Sequence, residues 1–95
     1  VALGTDYGGY PGTFDLGLPV TELTRMQAAG MTPMQVIVAA TRNGAIACGL
    51  ENDLGTIEPG KIADLLAVDG DPSEDLAALQ NVKLVMHNGV VIRGE

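Results

Sequence analysis

The sequence contains little positive charge. Its 95 residues include five Lys or Arg against twelve Asp or Glu, and the formal net charge is −7 at pH 7. Nucleic acids and anionic membrane surfaces are bound through clustered basic side chains, which a chain of this composition does not offer. We therefore expect no nucleic acid and no membrane among its partners.

Cysteine and long apolar segments are also scarce. Cys48 is the only cysteine, so an intrachain disulfide is excluded. Its alanine-rich surroundings predict a small buried side chain rather than a reactive thiol. The sequence has no apolar run of about 18 residues and no segment that resembles a signal peptide. We therefore expect a soluble, cytoplasmic protein.

Histidine and aromatic residues are rare. His87 is the single histidine, and its position beside Asn88-Gly89 predicts a solvent-facing turn residue. A metal site needs about three or four ligands, usually including histidine, so this chain cannot assemble one by itself. The three aromatic residues all fall in a glycine-rich loop at residues 7–17, and they are Tyr7, Tyr10 and Phe14.

The most informative motif lies at the start of the chain. A short apolar run at residues 1–4, interpreted as the end of a strand, leads into Asp6 and then into the glycine-rich loop. Parallel barrels and doubly wound sheets present catalytic carboxylates in this way. From the residues alone, Asp6 either ligates a metal or takes a proton from water, or it only accepts local backbone hydrogen bonds in a turn. Tyr7 and Tyr10 either line a substrate pocket or hold the loop to its own scaffold.

Two helices are predicted after the loop. The first covers residues 19–29 and ends at Gly30. The second begins with a capping box at residues 32–35 and continues to Cys48. This second helix is apolar on nearly all sides, which indicates burial on more than one face. A 95-residue chain is too small to cover it, so we expect either the C-terminal part of a larger protein or self-association into a homo-oligomer.

The remainder of the chain is predicted to form turns and a small antiparallel sheet. Asn88-Gly89 is the strongest signal here, because this dipeptide favours the tight turn of a hairpin. The predicted elements are a type II turn at residues 58–61, a strand at 62–69, a short helix at 71–79, and hairpin strands at 82–86 and 90–93. The order is strand, loop, two helices and sheet, which indicates an α/β fold.

Five segments together resemble the C-terminal part of the metal-dependent amidohydrolases. The similarity is greatest to the imidazolonepropionase-like and Xaa-Pro dipeptidase-like enzymes, and it covers essentially the whole chain. The segments are LGTD at residues 3–6, AGMTP at 29–33, ATRNGA at 40–45, LGTIEPGKIADL at 54–65 and NGVV at 88–91. The stretch PGKIAD within residues 54–65 is highly specific, whereas Gly-Thr-Asp alone is a weak signal.

The resemblance implies a fold and a site. Residues 1–52 would be the end of a distorted (β/α)8 barrel, with its last strand, a loop and two helices, and residues 53–95 would belong to a small β-sandwich domain. Asp6 would then contact a divalent metal, Zn²⁺, and act as the general acid/base for metal-activated water. The reaction would be hydrolysis of a carbon–nitrogen bond in a small-molecule amide, cyclic amide or dipeptide, with Tyr7 and Tyr10 near the substrate.

The chain departs from the family pattern in its metal ligands. The family's metal-binding histidines and lysine lie on earlier strands that this sequence does not contain, so the isolated 95-residue chain is predicted to be inactive. Asp64, in the specific motif, is interpreted as structural, ordering the turn after Lys61. Two alternatives stay open: a non-catalytic, self-associating truncated product, and a small-molecule binding module lined by Tyr7, Tyr10 and Phe14.

Overall fold

The computed structural model describes residues 1–4 and 20–94. Over these residues the chain forms helices first and a three-stranded antiparallel sheet afterwards. The elements are α1 at Val20–Ala28, α2 at Pro33–Ala40, α3 at Arg42–Ala47, β1 at Leu65–Val68, a 3₁₀ helix at Leu76–Gln80, β2 at Val82–His87 and β3 at Val90–Gly94. The predicted mixed α/β class with a small antiparallel sheet is confirmed.

Helix α2 begins where its capping box predicts. The Thr32 hydroxyl oxygen accepts the backbone N–H of Gln35 at 3.2 Å, and the Gln35 side-chain oxygen accepts the backbone N–H of Thr32 at 2.9 Å. Pro33 occupies the first helical turn, where its missing N–H costs nothing because that donor has no intrahelical partner. The start of α2 is therefore determined by residues within four positions of one another.

The second predicted helix is interrupted at Thr41. The backbone of Thr41 has φ −117° and ψ −84°, outside the helical region, so α2 ends at Ala40 and α3 starts at Arg42. The Thr41 hydroxyl donates to the Ile37 carbonyl at 2.8 Å. Such side-chain bonds to the preceding turn compete with helix geometry. The prediction of one continuous helix from Pro33 to Cys48 is therefore wrong.

Cys48 is exposed, not buried. It forms the C-cap of α3, and its backbone N–H donates to carbonyls of the last helical turn. The alanine-rich surroundings of Cys48 predict its burial. Because α3 ends at Ala47, Cys48 lies at the exposed end of this short helix, and the prediction is wrong.

The core connects the helices with the 3₁₀ helix. Its buried members are spaced at i and i+3 on α1 and α2, the spacing of an apolar helix face. They are Leu23 and Met26 on α1, Val36 and Ala39 on α2, and Leu76 on the 3₁₀ helix. Val36 and Ala39 are completely buried. Helices α1 and α2 and the 3₁₀ helix therefore share this core.

The β2–β3 hairpin turns at Asn88 and Gly89, and its pairing shifts register between Val85 and Met86. Asn88 and Gly89 both have positive φ, +50° and +79°, as a two-residue type I′ turn requires. In the sheet, Val85 of β2 lies opposite Leu66 of β1 on one side and Arg93 of β3 on the other. The predicted hairpin is confirmed.

The other predicted elements of this half differ in their boundaries. β1 starts at Leu65, three residues later than predicted. The 3₁₀ helix begins after Asp75, whose carboxylate accepts the N–H of Ala77 at 3.0 Å. Asp71, the predicted start, instead accepts the backbone N–H of Ser73 at 3.0 Å in a local turn.

Candidate functional site

The predicted site residues Asp6, Tyr7 and Tyr10, together with Phe14, lie outside the residues that the structure describes. Residues 1–4, which precede Asp6 in the sequence, are described. The structure therefore shows how the segment that leads to Asp6 is held.

Two hydrogen bonds fix the backbone of residues 1–4 to the helices. The backbone N–H of Leu3 donates to the Ala39 carbonyl at 3.0 Å, and the Asn43 side-chain amide donates to the Val1 carbonyl at 2.7 Å. The Leu3 side chain also packs against the core, whereas Val1 is 87% exposed. The segment pairs with none of the described strands and is held by the end of α2 and the start of α3.

The interruption at Thr41 supplies one of these anchors. The last carbonyls of an α-helix have no intrahelical partner, and at the end of α2 three of them are bonded in other ways. The Ile37 carbonyl accepts the Thr41 hydroxyl, the Val38 carbonyl accepts the Thr41 N–H, and the Ala39 carbonyl accepts the Leu3 N–H. The helix end thus becomes an acceptor for the segment before Asp6.

Asn43 lies in the ATRNGA segment, and the sequence alone indicates no separate role for it. Asparagine is a weak helix former, so an asparagine inside an alanine-rich helix was a signal that its side chain has another use. The structure shows that use, which is the bond to Val1.

Lys61, in the most specific motif, is fully engaged in structural contacts. Its ammonium group donates to the Glu51 carbonyl at 2.7 Å and to the Thr56 hydroxyl at 2.7 Å, and it pairs with the Glu58 carboxylate at 3.0 Å. The Lys61 side chain is only 15% exposed. These contacts close the connection between α3 and β1, and they leave Lys61 no free donor for a reaction.

Asp64 is structural, but it orders a different turn from the one predicted. Its carboxylate accepts the backbone N–H of Asn88 at 2.8 Å and lies 3.2 Å from the His87 ring nitrogen Nδ1. The neighbouring Ala63 carbonyl accepts the Gly89 N–H at 2.9 Å. Asp64 therefore fixes the β2–β3 turn, and its assignment to the turn after Lys61 is wrong. His87 is 71% exposed, as predicted.

The described residues do not fit a divalent metal. Within residues 1–4 and 20–94, no group of three or more His, Cys, Asp or Glu side chains is placed to hold one. His87, the one nitrogen ligand in the sequence, is at the hairpin turn with Asp64. In the same part of the chain, no helix is both long enough and apolar enough to cross a membrane.

The fold and its motifs define the class of this protein. The chain has helices followed by a sheet, and the PGKIAD stretch lies in the loop that Lys61 closes. Asn43, in the ATRNGA segment, donates a hydrogen bond to the carbonyl of Val1. The profile of the Amidohydrolase family matches residues 1–92. The chain belongs to the amidohydrolase family, which confirms the resemblance found in the sequence.

Individual relatives extend this result. Ochratoxinase from Aspergillus niger is 36% identical over 89 residues, covering 92% of this chain and 17% of that protein. Imidazolonepropionase from Pyrobaculum arsenaticum is 34% identical over 96 residues, covering 98% of this chain and 24% of that protein. The chain therefore spans about a fifth of the length of these relatives.

A solved structure shows the same fold. The crystal structure of a Xaa-Pro dipeptidase with methionine bound in its active site superimposes with a TM-score of 0.74 and 42% identity, over 78% of this chain and 18% of that one. The likeness supports the arrangement of helices and sheet described above.

Proposed function

We propose that the natural full-length protein containing this chain is a metal-dependent hydrolase of carbon–nitrogen bonds. Its substrate would be a small amide, cyclic amide or dipeptide. The observation that carries the proposal is the family match over residues 1–92, which includes the position of Asp6. Relatives named as an imidazolonepropionase and a Xaa-Pro dipeptidase support the type of bond. Residues 1–52 would be the end of a (β/α)8 barrel and residues 53–95 part of a β-sandwich.

Asp6 is the proposed general acid/base. A divalent metal, Zn²⁺, would lower the pKa of the attacking water toward neutrality. Asp6 would contact that metal, accept the proton of the water and pass it to the leaving nitrogen. Tyr7 and Tyr10 would contact the substrate. Among the described residues, Lys61 is held by three partners and His87 lies at an exposed turn, so we assign neither to proton transfer.

Replacement of the acid tests this proposal. In the natural full-length protein, Asp6→Asn keeps the shape of the side chain and removes its basicity, so kcat should fall by about 10²–10⁴-fold on the substrate that the wild type turns over best. The assay uses a panel of dipeptides, N-acyl amino acids and cyclic amides, with bound metal measured in parallel. The matched control is Asp53→Asn, an exposed acid in the loop after α3, which should leave kcat unchanged.

Metal removal gives an independent readout. Wild-type turnover should be lost on chelation and restored by Zn²⁺, and the isolated 95-residue chain should show no chelator-sensitive turnover because it lacks the other ligands. Wild-type rates in Asp6→Asn, or turnover that resists chelation, would refute the proposal.

One observation favours a second function, a self-associating product without catalysis. Large apolar side chains are exposed on the described surface, among them Ile57 at 87% and Ile92 at 65%. A homo-oligomer would cover them. The oligomeric state and the cytoplasmic location stay predictions.

A further inference from the structure

The chain contains two Asn-Gly dipeptides, and the structure holds them in different ways. Asn43-Gly44 lies within α3, whereas Asn88-Gly89 forms the turn between β2 and β3. An asparagine followed by glycine deamidates readily, because glycine has no side chain to obstruct attack by its backbone nitrogen on the preceding amide carbon. The dipeptide alone gives both sites the same reactivity, so their surroundings in the fold decide between them.

The Asn43 site is held against this attack. Its side-chain amide donates to the Val1 carbonyl at 2.7 Å, which fixes the group that would be attacked. The backbone is held by the helix, where the Gly44 carbonyl accepts the Cys48 N–H at 3.1 Å. Both the side-chain bond and this turn of α3 must open before the Gly44 nitrogen can reach the Asn43 amide carbon.

The Asn88 site is restrained through its backbone. Asn88 is exposed, and within residues 1–4 and 20–94 its side-chain amide has no hydrogen-bond partner. Its backbone N–H donates to the Asp64 carboxylate at 2.8 Å, and the Gly89 N–H donates to the Ala63 carbonyl at 2.9 Å. The attacking nitrogen of Gly89 is therefore released when two bonds at an exposed turn break, which is a small local opening.

We propose that Asn88 is a site of spontaneous modification, at which the residue converts to isoaspartate and aspartate, and that the contact of Asp64 with the turn limits the rate. The Gly89 nitrogen gives up its proton and bonds to the side-chain carbonyl carbon of Asn88, the bond from that carbon to the amide nitrogen breaks, and ammonia leaves. Water then opens the succinimide ring at either of its two carbonyls. The balance is one water taken up and one ammonia released, with no oxidant or reductant.

Isoaspartate at position 88 should disrupt the turn. Its main chain runs through the former side chain and contains one additional carbon, which a two-residue type I′ turn does not accommodate. Either product also adds a negative charge to a turn that the Asp64 carboxylate holds, and like charges repel. The bonds from the turn to Ala63 and Asp64 should therefore weaken in the modified protein.

The test ages the natural full-length protein at neutral pH and maps the products by digestion and by mass spectrometry that distinguishes isoaspartate from aspartate. In the folded protein, conversion should be at least about tenfold faster at Asn88 than at Asn43, since the latter needs a side-chain bond and a helical turn to open. In denaturing urea the two rates should be similar. Asn52 and Asn81 are exposed but are not followed by glycine, so they should stay largely unconverted and serve as controls within the chain.

Substitutions of Asp64 test its role in the rate. Asp64→Ala removes the acceptor of the Asn88 N–H and should speed conversion at Asn88 by about tenfold, the factor that corresponds to one hydrogen bond. Asp64→Asn keeps a side-chain oxygen that can accept the same bond and should have a smaller effect. Asp53→Ala removes an exposed acid elsewhere and should leave the rate at Asn88 unchanged.

Each part of the proposal has its own contradicting result. Equal rates at Asn43 and Asn88 in the folded protein, or no conversion at Asn88 over a period that converts it in urea, would overturn the modification site. An unchanged rate in Asp64→Ala would overturn the role of Asp64. If that variant does not fold, the wild type is aged in urea below its unfolding transition, where conversion at Asn88 and hydrogen–deuterium exchange at the Gly89 amide should rise together. Independent changes in these two rates would refute control by the turn.

Discussion

Two exposed carboxyl groups show how single hydroxyl groups shift acidity in this chain. The pKa of Glu58 lies below its ordinary value of 4.5, first because the Thr56 hydroxyl donates to its carboxylate and then because of the hydrogen bond and charge of Lys61. The pKa of Asp71 lies below 3.8, first because of the Ser73 hydroxyl and then because of the Ser73 backbone N–H. Hydrogen bonds to the charged form favour ionisation.

Removing each hydroxyl should affect only its own carboxyl group. Thr56→Val should raise the pKa of Glu58 and leave that of Asp71 unchanged, whereas Ser73→Ala should do the reverse. The side-chain carboxyl resonances, followed by NMR during a pH titration, measure both values in each variant. A shift at both carboxyl groups in either variant would show that the cause is a general change of structure.

The same shifts determine a direction for stability. A folded pKa below the unfolded one means that the stabilisation is present above the ordinary value and is lost as pH falls through the folded value. For Glu58, this loss begins as the pH drops below about 4.5. Thr56→Val should therefore be less stable than the wild type at neutral pH, and the difference should become smaller on acidification.

The packing of a loop against a helix depends on Gly55. This residue has φ +99°, and a Cβ placed there would lie 2.7 Å from the Ala45 Cβ, 3.1 Å from the Arg42 Cα and 3.2 Å from the Thr41 carbonyl oxygen. Two of these three neighbours are backbone atoms, which cannot move without displacing α3. The loop that Lys61 closes therefore approaches α3 more closely than any side chain at Gly55 permits.

Substitutions at two glycines separate the cost of a steric clash from the cost of a side chain at positive φ. Gly60 has a similar φ of +89° but nothing within 4 Å of the added Cβ, so Gly60→Ala should cost about 1–2 kcal/mol from backbone strain alone. Gly55→Ala should cost about 1–3 kcal/mol more because of overpacking. Urea unfolding of both variants measures the difference. Equal losses in the two variants would mean that the close approach at Gly55 contributes nothing.

Elements whose signals are local were predictable from the sequence. The Thr32–Gln35 capping box and the Asn88-Gly89 turn involve residues within four positions, so no knowledge of distant partners is needed. The 3₁₀ helix was placed too early because Asp71 and Asp75 are both acceptable caps. Only the packing of Leu76 into the core selects the second.

Features that join distant residues could not be predicted. The carboxylate of Asp64 bonds a backbone N–H 24 residues away, and the side chain of Asn43 bonds a carbonyl 42 residues away. Neither pairing leaves a periodic pattern in the sequence. The candidate site could not be predicted from the residue pattern either. The residue type of Asp6 alone left its role open, and only the resemblance to a family singled it out.

At the scale of the whole molecule, several large apolar side chains are exposed on the described surface. The exposed fractions of Ile57, Val90 and Ile92 are 87%, 63% and 65%. On the proposed function, these side chains would pack against the rest of a barrel and sandwich. Produced as the 95-residue chain alone, the protein has the same apolar side chains available for contact with further copies, and its net charge of −7 opposes such contact.

The isolated chain should therefore self-associate, and more strongly at high salt. Salt screens the repulsion between like-charged copies but does not weaken apolar contacts. Sedimentation equilibrium should therefore give a lower dissociation constant at about 0.5 M than at about 0.05 M NaCl.

A substitution on the apolar surface tests the same association. Burial of an isoleucine is worth about 1.5–3 kcal/mol, so Ile92→Glu on the edge strand β3 should raise the dissociation constant about tenfold or more. Gln80→Glu adds the same charge at an exposed polar position and should have a much smaller effect. A chain that remains monomeric at both salt concentrations, or equal effects of the two substitutions, would show that the apolar surface does not drive association.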